Sequence, residues 1–247
     1  MLNEPLTGLS AGGSPARTGL WANYDHTRAS DATIGVDTRL NNFVIGGDHK
    51  VMDKLGVGAS VSYQHSDSSA ANADGDAWTV APYLAYIINN NMGIDAVAGY
   101  TWMNTDYAPG RDFDTHRYFF ASNLNAYTTN LDKWEIGGHV GFMFVKDDVD
   151  AYAAIPGNDI SFLQAKTGIE AAYKITNTVQ PYLNLDYEDD LVYEAIPAAY
   201  DSAGFVGGIG VRFDLPSSVT GDLHYGKTYG RGNFDQDSFM ANLRMNF

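Results

Sequence analysis

The chain ends in the stretch SFMANLRMNF, Ser238 to Phe247, and this stretch decides the fold. Every second residue is apolar (Phe239, Ala241, Leu243, Met245 and Phe247), and the intervening residues are polar except Met240. A period of two is typical of a β-strand with one apolar and one polar face. A strand that ends the chain with an open edge would pair with other molecules. We therefore predict that it lies between two neighbouring strands in a closed barrel.

Length and composition are compatible with a single exported domain. The chain has 247 residues, no cysteine and a formal net charge of −15. The absence of cysteine excludes disulfides and cysteine metal sites, and suits an exported protein. The strong negative charge argues against a nucleic-acid partner. We predict no cofactor.

The membrane prediction does not depend on a hydropathy peak. No run reaches the roughly 18 apolar residues of a membrane helix. A membrane β-barrel shows no such peak, because lipid-facing and interior residues alternate. The opening MLNEPLTGLSAGGSPARTG lacks the basic start and apolar core of a signal peptide. We therefore expect the sequence to be a mature or truncated form of an exported protein.

Alternation recurs along the chain, most clearly in LGVGASVSYQH (55–65), AWTVAPYLAYII (77–88) and FLQAKTGIEAAYK (162–174). We count about twelve such strands. Short turns near residues 53, 90, 132, 177 and 217 alternate with longer, often acidic loops. This pattern predicts an all-β fold over residues 18–247: a closed antiparallel transmembrane up-and-down β-barrel of about 12 strands. Residues 1–17, rich in Gly, Pro and Ser, are interpreted as a linker or pore-occupying segment.

The same pattern predicts an orientation. An even strand number places both termini on one side, expected to be periplasmic, and the long loops outside the cell. Trp78 and Trp102 fall near the loop ends of their strands, and Trp134 and Tyr173 near the turn ends, as two aromatic girdles would require. The alternative is a soluble all-β protein whose apolar face packs into a core.

The polar faces of the strands should line a narrow, hydrated interior, because about twelve strands lie between a filled barrel and an open channel. Charged pore-lining candidates are Glu135, Lys166, Glu170, Asp186, Arg212, Asp222 and Arg244. Glycine is frequent on the same face, which leaves room in the bore. The charges could stiffen the wall as a network of pairs, or form an electrostatic lining for a passing chain.

Two stretches carry a family resemblance: AKTGIEAAYKITNTVQPYLNLDYEDD (165–190) and GFVGGIGVRFDLPSSVTGDLHYGKTYGRGNFDQDSFMANLRMNF (204–247). With the predicted layout, residues 18–247 resemble the translocator domain of classical autotransporters. The resemblance implies a twelve-stranded bacterial outer-membrane barrel, monomeric, surrounded by lipid and lipopolysaccharide, that brings its own N-terminal passenger to the cell surface. It also implies that barrel-assembly machinery reads the closing strand through Phe239, Leu243, Met245 and Phe247.

Other functions remain open at this stage. The chain could be a stand-alone small porin or adhesin. It could also be a hydrolase with a site at the barrel rim, for which the candidates are Asp25–His26, His65–Ser66–Asp67, and His116 with Asp112 or Asp114. Asn41–Asn42 would be a weak signal for self-cleavage inside the barrel. No GxSxG, HExxH or phosphate-loop motif is present, and we predict that the protein is not an enzyme.

Overall fold

The computed structural model describes residues 17–32, 35–69, 73–107, 112–128, 131–151, 157–193, 202–215 and 218–247. Twelve antiparallel strands occupy most of these ranges. They are β1 (Thr18–Asp31), β2 (Val36–Met52), β3 (Leu55–Ser68), β4 (Ala73–Asn89), β5 (Met92–Tyr107), β6 (Asp112–Tyr127), β7 (Trp134–Val149), β8 (Asn158–Tyr173), β9 (Val179–Tyr193), β10 (Ala203–Leu215), β11 (Val219–Tyr229) and β12 (Phe234–Asn246). The predicted linker lies, apart from Arg17, outside the described residues.

Each strand pairs with the next along the chain, and β1 pairs with β12 to close the barrel. The closing register runs from Gly19 opposite Asn246 to Asp31 opposite Phe234. The backbone N–H of Phe247 donates to the carbonyl of Thr18 at 2.8 Å, so the last residue lies beside the first strand. The prediction of a closed, up-and-down barrel with a paired terminal strand is confirmed.

The barrel has two ends, which we name by their connections. The turn end carries the connections 53–54, 90–91, 128–133, 174–178 and 216–218, together with Thr18, the first residue of β1, and Asn246, the last residue of β12. The loop end carries the connections 32–35, 69–72, 108–111, 150–157, 194–202 and 230–233.

The expected contrast in connection length is wrong in part. The turn-end connection 128–133 is longer than the loop-end connection 32–35. The reason is that strand pairing continues into the polar segments: Thr27 to Asp31 pairs with Leu40 to Val36 in an unbroken register. Backbone hydrogen bonds between strands form whether the side chains are polar or apolar. A change from apolar to polar residues in the sequence therefore does not mark the end of a strand.

The outer face of the barrel is apolar. Ile169 and Leu183 are 64% and 61% exposed, and similar side chains recur at every second position on each strand. The intervening residues are mostly buried or half-buried on the inner face. A continuous apolar surface of this extent is not compatible with exposure to water. The structure therefore contradicts the soluble alternative, in which the apolar face would be covered. No helix among the described residues is long and apolar enough to cross a membrane.

Outward aromatic side chains form a continuous row across five strands. Trp102 lies opposite Trp78, which lies opposite Tyr63, followed by Phe43 and then Tyr24 in the middle of β1. At the turn end, Trp134 lies opposite Tyr173 with ring centroids 5.0 Å apart. Trp78 and Trp102 thus lie toward the loop end, and Trp134 and Tyr173 at the turn end, where the sequence predicts the girdles; their contact with the membrane interface remains a prediction.

Candidate functional site: the inner wall of the barrel

A buried ion pair joins the closing strand to β2 near the turn end. The guanidinium of Arg244 donates two hydrogen bonds to Asp48, Nη1 to Oδ2 at 2.6 Å and Nη2 to Oδ1 at 2.7 Å. Its Nε donates to Asn246 at 2.7 Å. Bidentate geometry suits the fixed fork of arginine and the planar carboxylate. Because β1 lies between β12 and β2, the pair spans the seam where the barrel closes.

Glycine makes this contact possible. Gly19 pairs with Asn246 on one side and Asp48 on the other. A Cβ placed on Gly19 would lie only 2.0 Å from Nη2 of Arg244. The arginine therefore lies flat on the wall over a residue that has no side chain.

The same arrangement recurs on β3. The Tyr83 hydroxyl on β4 donates to Asp48 on β2 at 3.2 Å and accepts a hydrogen bond from Nε1 of Trp21 at 2.6 Å. Gly58 lies directly between Asp48 and Tyr83 in the sheet register. A Cβ on Gly58 would lie 2.3 Å from the phenol ring.

A second cluster occupies β8–β11. Arg212 donates from Nη2 to Glu170 at 2.6 Å, and its guanidinium carbon lies 4.4 Å from the ring centroid of Tyr182. The Tyr182 hydroxyl donates to Asp222 at 3.0 Å across Gly210, whose Cβ would lie 2.3 Å from that ring. Here too a long side chain crosses an intervening strand over glycine.

A third cluster lies around Asp186, which is almost fully buried. Nζ of Lys166 lies 3.9 Å from Asp186 and 3.8 Å from Glu188. Nε2 of His139 lies 3.0 Å from Oδ1 of Asp186, across Gly168. Closer to the loop end, Arg231 donates from Nη1 to Asp190 at 2.9 Å.

All the predicted pore-lining candidates lie on the inner face, and the structure shows their partners. Glu135 accepts a hydrogen bond from Nε2 of Gln180 at 3.3 Å, and the others belong to the clusters just described. The expectation that inner glycines leave empty room needs correction. Side chains of the adjacent strand fill the space above Gly19, Gly58 and Gly210, because a residue without Cβ lets its neighbour lie across it toward the next strand.

Part of the inner wall is apolar, although the alternation of the sequence predicts a polar inner face. Trp21, Ala81, Tyr83, Val97, Phe119 and Val145 form a buried cluster, with Val44, Ala121, Met143 and Phe162 packed against it. Phe119 covers Gly99, where a Cβ would lie 2.1 Å from its ring. The inner wall thus has an apolar sector centred on β4–β7, and most of the charged clusters lie on β8–β12.

Acidic side chains outnumber basic ones on the described part of the inner face. The acids are Asp25, Asp48, Asp95, Glu135, Asp147, Glu170, Asp186, Glu188, Asp190 and Asp222, and the bases are Arg117, Lys166, Arg212, Arg231 and Arg244. Each of these bases contacts at least one acid. In a region of restricted water, the excess of carboxylates favours cations over anions.

Comparison with known proteins identifies the family of this barrel. Residues 19–201 match the family model described as the autotransporter beta-domain, and this match covers most of the chain. The chain belongs to the autotransporter β-domain family. The matched range ends before β10, so the closing strand is not part of it. No curated protein sequence matches the chain.

Solved autotransporter barrels have the same fold as this autotransporter β-domain. The beta domain of the Bordetella autotransporter BrkA superposes with a TM-score of 0.82 at 16% identity, over 94% of this chain and 100% of that one. The translocator domain of NalP from Neisseria meningitidis superposes with a TM-score of 0.76 at 12% identity, over 94% of this chain and 89% of that one. The transport unit of AIDA-I from Escherichia coli superposes with a TM-score of 0.65 at 14% identity, over 98% of this chain and 93% of that one. The protein is thus a β-barrel of the bacterial outer membrane.

The hydrolase candidates do not form catalytic arrangements in this autotransporter β-domain. His65 and Asp67 lie on the outer face and Ser66 on the inner face, because adjacent residues of a strand point to opposite sides. His65 contacts Asp76, with Nδ1 2.9 Å from Oδ1, and Asp67, with Nε2 3.6 Å from Oδ1, but not Ser66 on the other face.

Asp25 and His26 are separated in the same way, whereas His116, Asp112 and Asp114 lie on the same face of β6. Asp25 faces inward and contacts Thr27, whereas His26 faces outward and contacts Asn41. His116 contacts the Tyr100 hydroxyl at 2.7 Å, and Asp114 accepts from Asn104 instead. Asn41 and Asn42 also lie on opposite faces. Among the described ranges, no group of three or more His, Asp or Glu side chains could hold a metal ion.

Proposed function

We propose that this barrel carries an N-terminal passenger across the outer membrane to the cell surface. The observation that carries the proposal is the position of β1: the chain enters the barrel at Arg17, at the turn end, beside the last residue, Phe247. A segment that precedes Arg17 therefore starts at the mouth of the bore. The family supports the proposal, because the matched model describes an autotransporter domain.

The inner wall suits a conduit. The long polar side chains lie along the wall over glycines and are held by hydrogen bonds to neighbours two strands away. Side chains fixed in this way lose no further conformational freedom when a chain passes, and they do not extend freely into the path. We therefore favour the wall-stiffening interpretation of the inner charges over a free electrostatic lining.

In the proposed orientation the turn end is periplasmic and the loop end lies at the cell surface. The charge distribution supports this. Basic side chains collect at the turn end, at Arg17, Lys50, Lys54, Lys133 and Lys174, all exposed. Outward acids collect toward the loop end, at Asp67, Asp74, Asp76, Asp106, Asp112 and Asp114. Basic residues at the turn end suit a leaflet of anionic phospholipids.

The closing strand is proposed to be the segment that barrel-assembly machinery recognises. Phe239, Leu243, Met245 and Phe247 all point outward and are between 43% and 59% exposed. A partner that meets the unclosed edge of β12 would find this apolar row before β1 pairs with it. We further propose that the barrel acts as a monomer surrounded by lipid and lipopolysaccharide.

Surface display tests the proposed function. A signal peptide and an epitope-tagged reporter are fused ahead of Met1, and intact cells are treated with protease. We expect the reporter to be degraded while a periplasmic marker survives. The matched control ends after Leu215 and lacks β11 and β12, so it cannot close. A folded, full-length barrel that leaves its reporter in the periplasm would contradict translocation and favour a stand-alone porin or adhesin.

A further inference from the structure

Two arginines lie side by side on the outer surface near the loop end. Arg28 on β1 is directly opposite Arg39 on β2 in the strand register, and both are exposed. Like charges directly opposite each other on a sheet destabilise the pairing. Nothing in the closure of the barrel requires this juxtaposition, because neither side chain reaches the interior.

Carboxylates of the described residues do not neutralise the two arginines. The recorded side-chain contact of Arg28 is a hydrogen bond from Nε to Nε2 of His26 at 3.3 Å. Arg39 makes no ion pair with any carboxylate in the described ranges, although Asp67 lies opposite it on β3. Asp237, opposite Arg28, is shared in register with Lys227 of β11.

The depth of the pair relative to the loop-end tryptophans indicates what it faces. Arg28 lies ten residues from the first residue of β1, and Arg39 lies thirteen residues from the last residue of β2. Trp102 and Trp78 lie ten and eleven residues from the turn ends of β5 and β4. Two to three residues of a strand tilted by about 40° rise about 5–8 Å along the membrane normal, so the pair lies between the level of these tryptophans and about 8 Å beyond it. The headgroup layer extends about 5–8 Å beyond the hydrocarbon on each side, and an arginine side chain can bend back by several ångströms. The two guanidinium groups therefore lie within reach of the headgroup layer.

We propose that Arg28 and Arg39 form a binding site for a phosphate group of an outer-leaflet glycolipid. A phosphate accepts bidentate hydrogen bonds from guanidinium groups, and one that lies between the two arginines would remove their repulsion. The proposal rests on the proposed orientation, in which the loop end lies in the lipopolysaccharide leaflet. It explains why two like charges are adjacent on a surface otherwise rich in acids.

The test measures binding of fluorescent rough-type lipopolysaccharide, with a bisphosphorylated lipid A, to the full chain in detergent micelles. EDTA is present so that divalent cations do not bridge the phosphates to outward acids. The test variant is Arg28→Gln/Arg39→Gln. The matched control is Lys133→Gln/Lys174→Gln, which removes two adjacent exposed charges at the turn end, just before β7 and just after β8. Heat-modifiable migration on gels checks that each barrel is folded.

We expect the arginine variant to bind about tenfold more weakly, since two charge-assisted contacts are lost, and the lysine control to bind like the wild type. Arg28→Lys/Arg39→Lys should recover part of the affinity, because charge remains without the bidentate fork. Dephosphorylated lipopolysaccharide should bind the wild type as weakly as intact lipopolysaccharide binds the arginine variant.

Three results would overturn the site. The first is equal binding of lipopolysaccharide by the wild type and the arginine variant. The second is a loss of affinity in the lysine control as large as that in the arginine variant. The third is saturation of the wild type by inorganic phosphate at the concentration at which lipopolysaccharide saturates it. The last would assign the pair to free phosphate rather than to a lipid. Failure of the proposed translocation would instead appear as missing surface display of the wild-type reporter, which this binding assay does not measure.

Discussion

Tyr83 donates its phenolic hydrogen to Asp48 across an intervening strand, over a distance of 3.2 Å. Asp48 also receives the two hydrogen bonds of Arg244. One buried carboxylate thus connects β2, β4 and β12, and it links both sides of the closure between β1 and β12. The relationship depends on Gly58 and Gly19, over which the tyrosine and the arginine lie.

We predict that Arg244→Ala destabilises the barrel by about 3–5 kcal/mol, because it leaves the Asp48 carboxylate buried without a counter-charge. Asp48→Asn/Arg244→Ala should be closer to the wild type than Arg244→Ala alone. Urea unfolding in phospholipid vesicles measures both. If Arg244→Ala were as stable as the wild type, water rather than the arginine would supply the hydrogen bonds to the Asp48 carboxylate.

Gly58→Ala should cost about 1–3 kcal/mol, since the new methyl group overlaps the ring of Tyr83 and the backbone carbonyl of Gly47. Gly137→Ala is the matched control, because it is also an inner-face glycine but its Cβ would meet the nearest atom at an ordinary 3.6 Å. Equal unfolding midpoints for the two variants would contradict the role assigned to the glycine.

Much of the barrel fold and of its polar inner face could be predicted from the sequence. Alternation in 55–65, 77–88 and 162–174 is enforced by two solvents on opposite faces, so it is visible in a single strand. The closing partner of the last strand followed from the need to cover an edge. The alternation also predicted the inner polar faces that carry Lys166 and Arg244.

The pairs across the wall could not be predicted. Asp48 and Arg244 are 196 positions apart, and their contact depends on the register of closure and on Gly19 between them. The apolar sector was missed because Tyr83 and Val97 lie on strands whose outer faces are also apolar, so both faces contribute to one hydrophobic run. The alternating stretches 55–65 and 77–88 stop short of the loop ends of β3 and β4, because the polar residues beyond them are still paired.

The outer face should reject a charge that the inner face accepts. Val140 points outward near the middle of β7 and is 53% exposed, whereas Met143 on the same strand points inward. Val140→Arg should lower the free energy of unfolding in lipid vesicles by about 2–4 kcal/mol. Met143→Arg should cost less, because Met143 is only partly buried against the apolar cluster and a long arginine side chain can extend from there into the hydrated bore. The reverse order would contradict the assignment of the two faces.

The excess of inner carboxylates predicts a cation-selective pore. In planar bilayers under a KCl gradient, the reversal potential should have the sign of potassium permeation. Glu135→Gln should reduce the potassium-to-chloride permeability ratio by about twofold, as expected for one charge that acts on both ions over about 10 Å of water at about 0.1 M salt. Asp132→Asn, in the preceding turn, is the control and should leave the ratio nearly unchanged. Anion selectivity of the wild-type barrel would refute the prediction.

The central claim, that a passenger passes through the bore, is tested most directly by site-specific photocrosslinking. A benzoylphenylalanine replaces Met143 on the inner face, or Phe142, its outward neighbour, in a chain whose passenger is stalled by a folded reporter. The account predicts crosslinks to the passenger from position 143 and none from position 142. Crosslinks from position 142 alone, or from neither position while the reporter still reaches the surface, would contradict it.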